Sequence, residues 1–191
     1  FNRAMFRFSN SARVDIDFTG AENRRTIEVR ELTSEAKTKL PVYGGLDPVI
    51  GTVTLGDVKR CEYTGIKVEL VGQVDLLNEK SSSFSVKDTV KFVQVVKELK
   101  ATPGILFQKE THPFEFSLEK VHETYRGKSA ALRYFVRVTI SRNYSNGGNI
   151  VTDFDIAVQN SQPRTIMNDT PPEAGIKMEV GIEDCLHIEF E

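Results

Sequence analysis

The sequence predicts an all-β protein folded as an antiparallel two-sheet sandwich, and three features carry that expectation. Apolar and polar residues alternate with period two through almost every apolar segment, Gly/Pro turns separate the segments at close spacing, and each segment keeps one polar face. Val14, Ile16 and Phe18 share one parity against Asp15 and Asp17. Ile27 with Val29, and Val53 with Leu55, mark the next two strands, with a Gly/Pro turn over residues 43–48 between them. A long strand follows in which Ile66, Val68, Leu70, Gly72, Val74 and Leu76 oppose Lys67, Glu69, Gln73 and Asp75, with Val71 as the exception. Residues 90–99 place Phe92, Val93, Val95, Val96 and Leu99 at spacings that fit a helical face, but their β-branched richness favours a strand. After the turn at Thr102-Pro103-Gly104 comes a strand with Phe114, Phe116 and Leu118. Leu132, Tyr134, Val136, Val138 and Ile140 then alternate with Arg133, Arg137 and Thr139, and a one-residue slip would drive two arginines into the core. Phe135 breaks the polar parity of that strand. The Asn146-Gly147-Gly148-Asn149 run predicts a hairpin into Phe154, Ile156 and Val158, and a last strand holds Leu186, Ile188 and Phe190. Residues 162–174 carry three prolines and no periodicity, which reads as an exposed loop.

Composition narrows the functional classes. The 191 residues include 25 Lys+Arg and 27 Asp+Glu, a formal net charge of −2, with 39% hydrophobic and 27% charged residues. A chain of this length buries roughly 70% of its unfolded surface, so its core needs no disulfide or metal. The charge balance gives no grip on phosphate backbones, so nucleic acid is not implied as a partner. The apolar runs fall short of the roughly 20 residues of a membrane span. Cys61 and Cys185 stand far apart with no CxxC pattern, which fits a reducing, cytosolic setting. Asn143 and Asn168 begin glycosylation sequons, a pattern read only in secreted chains. The chain opens on Phe1 with no signal segment and reads as a piece of a longer protein, one domain over residues 1–191.

The residues offer no catalytic constellation and no cofactor motif. His112, His122 and His187 are scattered outside any ligand pattern, and GxSxG, Walker and GxGxxG signatures are missing. Asp153 and Asp155 read as the solvated side of a strand whose core side is Phe154 and Ile156. Glu183 and Asp184 interrupt an alternating segment and read as a turn or bulge. The expected activity is therefore surface recognition without catalysis, metal or cofactor.

Four stretches carry a family resemblance. They are Gly65-Ile66-Lys67-Val68-Glu69-Leu70-Val71-Gly72-Gln73-Val74, Phe114-Glu115-Phe116, Leu132-Arg133-Tyr134-Phe135-Val136-Arg137-Val138-Thr139-Ile140 and Ile176-Lys177-Met178-Glu179-Val180-Gly181-Ile182-Glu183-Asp184-Cys185-Leu186-His187-Ile188-Glu189-Phe190-Glu191. In order and content they resemble vacuolar protein sorting-associated protein 26, the arrestin-like subunit of retromer. The resemblance implies an arrestin-like, immunoglobulin-like antiparallel β-sandwich, the N-terminal half of a two-sandwich protein, with the C-terminal sandwich outside this chain. It implies a non-enzymatic coat adaptor, peripheral on the cytosolic face of endosomes through its partners, in retrograde transport and recycling of membrane proteins. Two competing readings are an arrestin-like paralogue of another endosomal recycling complex, against which the terminal string argues, and a lectin-like secreted sandwich, disfavoured by the absence of Trp.

The same resemblance implies partners and positions. The large α-solenoid subunit, vacuolar protein sorting-associated protein 35, docks mainly on the missing sandwich, so this chain alone is expected to bind it weakly or not at all. Sorting nexins and the cytosolic tails of transmembrane cargo fall to the first sandwich. Cargo strand addition maps to Ala174, Gly175, Ile176, Lys177 and Met178, where a paired interior strand is the structural alternative. The dock for a PDZ-containing nexin in animal members maps to the turn of Gly44, Gly45, Leu46 and Asp47 and to the loop of Asn160 and Pro163. Here Gly44 replaces an acidic residue and Asn160 a leucine, so that nexin contact is not expected to carry over. Residues 81–87 read as a solvated insertion. Glu183, Asp184, His187, Glu189 and Glu191 are assigned to a polar contact with the second sandwich.

Overall fold

The alternating segments become strands in the order β1 (Arg13–Phe18), β2 (Thr26–Arg30), β3 (Lys37–Tyr43), β4 (Val49–Gly56), β5 (Cys61–Tyr63), β6 (Gly65–Lys80) and β7 (Ser83–Lys100). The order continues with β8 (Gly104–Leu106), β9 (Glu110–Phe116), β10 (Tyr125–Arg126), β11 (Ala130–Ser141), β12 (Ile150–Val158), β13 (Met178–Ile182) and β14 (Leu186–Phe190). The computed structural model describes residues 12–30, 37–56, 60–80, 83–118, 122–127, 129–143, 147–160, 178–182 and 186–190. The chain divides into two units, residues 1–160 and 161–191. The second contains the hairpin β13-β14, in which Met178 faces Phe190 and Ile182 faces Leu186.

The first unit is an antiparallel sandwich, as the alternation requires. A small sheet runs β1-β4-β9, a large one runs β2-β3-β12-β11-β6-β7 with β10 also on β11, and β5 pairs β8 separately. Among the described strands the one parallel pairing joins β12 to β3, at Ala157 with Val42 and Val158 with Tyr43. Between the sheets Val14, Val49, Val53, Leu55, Phe114 and Phe116 meet Val68, Leu70, Tyr134, Val136, Val138 and Ile140. Two glycines make room for neighbours within their own sheets. A Cβ on Gly51 would lie 2.7 Å from the Asp17 carbonyl oxygen and 2.8 Å from the Phe114 ring, and one on Gly72 would lie 2.8 Å from the Tyr134 ring. The β11-β12 turn uses left-handed Gly147 and Gly148, with φ of 91° and 76°.

β7 explains its own ambiguous sequence pattern. Gly72 pairs with Val93 and Gln73 with Lys91, so Phe92 is an extra residue at a bulge. The bulge interrupts period two and mimics helical spacing. The residues read as a solvated insertion largely extend the same hairpin, since Glu79 pairs with Phe84 and Lys80 with Ser83.

The two parity exceptions prove to be neighbours. Val71 and Phe135 are cross-strand partners on the outer face of the large sheet, and both are buried there. The guanidinium carbons of Arg133 and Arg137 lie 4.6 and 4.9 Å from the Phe135 ring centre, so the arginine stems and cations roof an apolar island. Asp153 and Asp155 are not simply solvated. Asp153 receives two bonds from Arg137, at 2.7 and 2.8 Å, and Asp155 receives one from Arg133 at 2.5 Å. Cross-strand pairing of Arg137 with Asp153 brings the charges together, a relation no single-strand reading contains. Further along this face Gln73 and Thr89 donate to Asp75, and Gln94 and Lys67 hold Glu69. Burial raises the Glu69 pKa, but the bonds from Gln94 and Lys67 outweigh it and leave the carboxyl below its ordinary value.

Adding a methyl at Gly51 must displace backbone as well as a ring. Gly51→Ala is expected to cost about 1–3 kcal/mol and to lower Tm by roughly 3–10 °C, measured by thermal circular dichroism. Gly56→Ala, whose Cβ meets only the Lys109 Cγ at 4.0 Å, should change Tm by far less.

Candidate docking corner

The turn of Gly44, Gly45, Leu46 and Asp47 is built from β3 and a neighbouring arginine. It closes with the Asp47 N–H donating to the Gly44 carbonyl at 3.1 Å, while the Gly44 N–H donates to Asp47 Oδ2 at 3.0 Å. Arg24, just after the short 3-10 turn Ala21–Asn23, donates from Nη1 to the same Oδ2 at 2.9 Å. Its guanidinium carbon also sits 4.1 Å from the centre of the buried Tyr43 ring. The Gly44 N–H, and then the Arg24 guanidinium, hold the Asp47 carboxyl below its usual value. Burial pushes the Tyr43 hydroxyl up. Leu46, at the tip of this clamped turn, is 90% exposed.

The loop beginning at Asn160 arrives at the same corner because β12 leaves β11 to pair with β3. The Gln159 N–H donates to the Tyr43 carbonyl at 3.0 Å, and Arg25 donates to the Gln159 side chain. Glu123 accepts from the Asn160 N–H at 2.9 Å, and Thr124 bonds the Val158 N–H through Oγ1 at 2.9 Å. Gly44, Gly45, Leu46, Asp47 and Asn160 therefore form one surface. The residues that assemble it, Arg24, Arg25, Glu123, Thr124 and Gln159, were missed in the sequence.

Gly44 also takes on a physical reason. A Cβ there would lie 3.5 Å from the Asp47 carboxylate, so an acidic side chain at position 44 would bring a second negative group against Asp47. The turn keeps an acid at 47 instead.

Pro163, Ala174, Gly175, Ile176, Lys177, Glu183, Asp184 and Glu191 lie outside the described residues. Met178 begins β13, and His187 and Glu189 lie in β14 opposite Gly181 and Glu179. An open hollow of about 410 Å³ between β5, β8 and Asn143 is lined by Glu62, Tyr63, Thr64, Pro103, Gly104 and Ile105. No group of three or more His, Cys, Asp or Glu side chains poised for a metal occurs among the described residues, and no described helix is long and apolar enough to cross a membrane.

A family profile described as vacuolar protein sorting-associated protein 26 matches residues 8–191. The chain belongs to the vacuolar protein sorting-associated protein 26 family. It is 41% identical to vacuolar protein sorting-associated protein 26 of Dictyostelium discoideum, over 96% of this chain and 50% of that protein. It is 34% identical to protein 26A of Arabidopsis thaliana, over 100% of this chain and 59% of that one, and 37% identical to protein 26B of Xenopus tropicalis, over 98% and 52%. The chain thus spans between half and three-fifths of these relatives' length. The all-β sandwich is the fold expected from the resemblance.

Asp47→Ala removes the acceptor for both Gly44 and Arg24. The protection factor of the Gly44 amide is expected to fall about fivefold in hydrogen exchange, the equivalent of one modest hydrogen bond. Because the folded carboxyl has a depressed pKa, the clamp is complete above the unfolded-state pKa and is lost as pH falls through the folded value. The native chain should show that acid-side loss of protection, and Asp47→Ala should not.

Proposed function

We propose that this chain is the first sandwich of a retromer coat subunit, a non-catalytic adaptor that positions sorting nexins and cargo tails during endosome-to-Golgi transport and recycling. Family membership over residues 8–191 carries the reading. The rigid corner supports it: a turn clamped by Arg24 and Asp47 spends little conformational entropy on binding and holds Leu46 out as an apolar anchor. With an acid at 47 rather than 44, and Asn160 beside it, the corner suits a nexin contact different from that of the animal proteins. The large α-solenoid subunit is assigned to the half of the relatives' length that this chain does not cover, and membrane association to the partners.

Pulldown from cytosol tests this with the full-length protein beside the 191-residue chain. The full-length protein should recover the α-solenoid subunit and the chain alone should not; recovery by neither would overturn the coat assignment. Leu46→Glu in the full-length protein should reduce nexin recovery about tenfold, an anchor-sized loss, while leaving the α-solenoid subunit bound. Unchanged nexin recovery would remove the corner from the proposal.

A further inference from the structure

β7 forms the edge of the large sheet farthest from β2 and β3, and its chemistry is unlike that of the strands inside the sheet. Its outer backbone row has no strand partner among the described residues. The small sheet covers only part of the inner face, and Val90, Phe92, Val95 and Val96 remain exposed. An unpaired row of N–H and C=O groups flanked by exposed apolar side chains is a template for one more strand.

The bulges limit where such a strand fits. Register shifts at Gly72/Gln73 and Ile66/Lys67 leave residues 93–98 as a regular run, paired in order with Gly72, Val71, Leu70, Glu69, Val68 and Lys67. Within it Val93, Val95 and Lys97 share the inner face, and Gln94, Val96 and Glu98 the outer face. The Lys97 ammonium donates to the neutral Pro113 carbonyl at 3.3 Å, and no described carboxylate pairs with it. A second copy of this chain does not supply the missing acid. Antiparallel two-fold pairing centred on Val95 sets Lys97 against Val93, and pairing centred on Val96 sets it against Val95.

We propose that residues 93–98 of β7 accept an extended segment of another protein as an added strand, with apolar residues opposite Val95 and Val96 and an acidic residue opposite Lys97. Backbone hydrogen bonds supply the affinity, and Lys97 selects acidic segments while repelling basic ones. This surface is separate from the Leu46 corner and does not depend on the coat assignment.

The probe is the hexapeptide acetyl-Thr-Glu-Val-Val-Thr-Val-amide, titrated into the 191-residue chain by amide NMR, with a Lys-for-Glu version as its partner. Shifts should concentrate on residues 93–98, and the acidic peptide should bind about threefold to tenfold tighter than the basic one. Lys97→Glu, an exposed change, should reverse that preference. An unaltered preference in Lys97→Glu, or no shift in this run at millimolar peptide, would overturn the proposal. So would protection of these amides from exchange in the peptide-free monomer, which would assign the edge to this chain's own segments. Concentration-dependent dimerisation that protects the same amides would assign it to a second copy, against the proposal.

Discussion

β11 is held along both edges, and the other features of the first unit hang on its register. Against β6 it runs unbroken from Ala130 with Leu76 to Ser141 with Gly65, and against β12 it runs from Ile140 with Ile150 to Tyr134 with Ile156. A slip of one residue would bury Arg133 and Arg137 between the sheets and expose Tyr134, Val136 and Val138. Beyond Ile156, β12 turns away to β3, and β10 takes its place beside β11. That fork carries Gln159 and Asn160 to the Gly44 turn. The candidate corner is thus a consequence of where one central strand loses one neighbour and gains another.

The outer face shows what the same register does to charge. Arg126, Arg133 and Arg137 stand among Asp75, Asp155 and Asp153, and Phe135 lies fully buried beneath two of the guanidinium groups. Burying charges is costly unless each is paired, and here Arg133 and Arg137 of β11 reach across to Asp155 and Asp153 of β12. The hydrogen bond from Arg137 to Asp153 raises the arginine's pKa, whereas burial lowers that of Arg126, so the two ends of the ladder differ in how fully they are compensated. Such a face favours one register over its neighbours, because a shifted strand would strand its charges without partners.

Much of the fold was legible because a half-buried strand writes its own period into the chain. Asp15 and Asp17 against Ile16 and Phe18, or Arg133 and Arg137 against Tyr134 and Val136, identify a face without any knowledge of the partner strand. β7 was less legible because its bulge at Phe92 breaks the period. Val71 and Phe135 looked like irregularities, since their reason lies in each other across two strands. The corner was half legible: the family resemblance pointed to Gly44 and Asn160, but nothing local joins Arg24 to Asp47, or Glu123 to the Asn160 amide, across such separations.

The sequence alone therefore determined the strand class, the inward and outward faces and the family, because these follow from periodicity and from residue strings that are local. Tertiary structure alone decided that Val71 and Phe135 share an arginine-roofed island, that Asp47 accepts from both Arg24 and the Gly44 amide, and that β7 is paired on one side only among the described strands. Each of these depends on which strands become neighbours, and strand pairing is a long-range choice settled by the burial of the whole core.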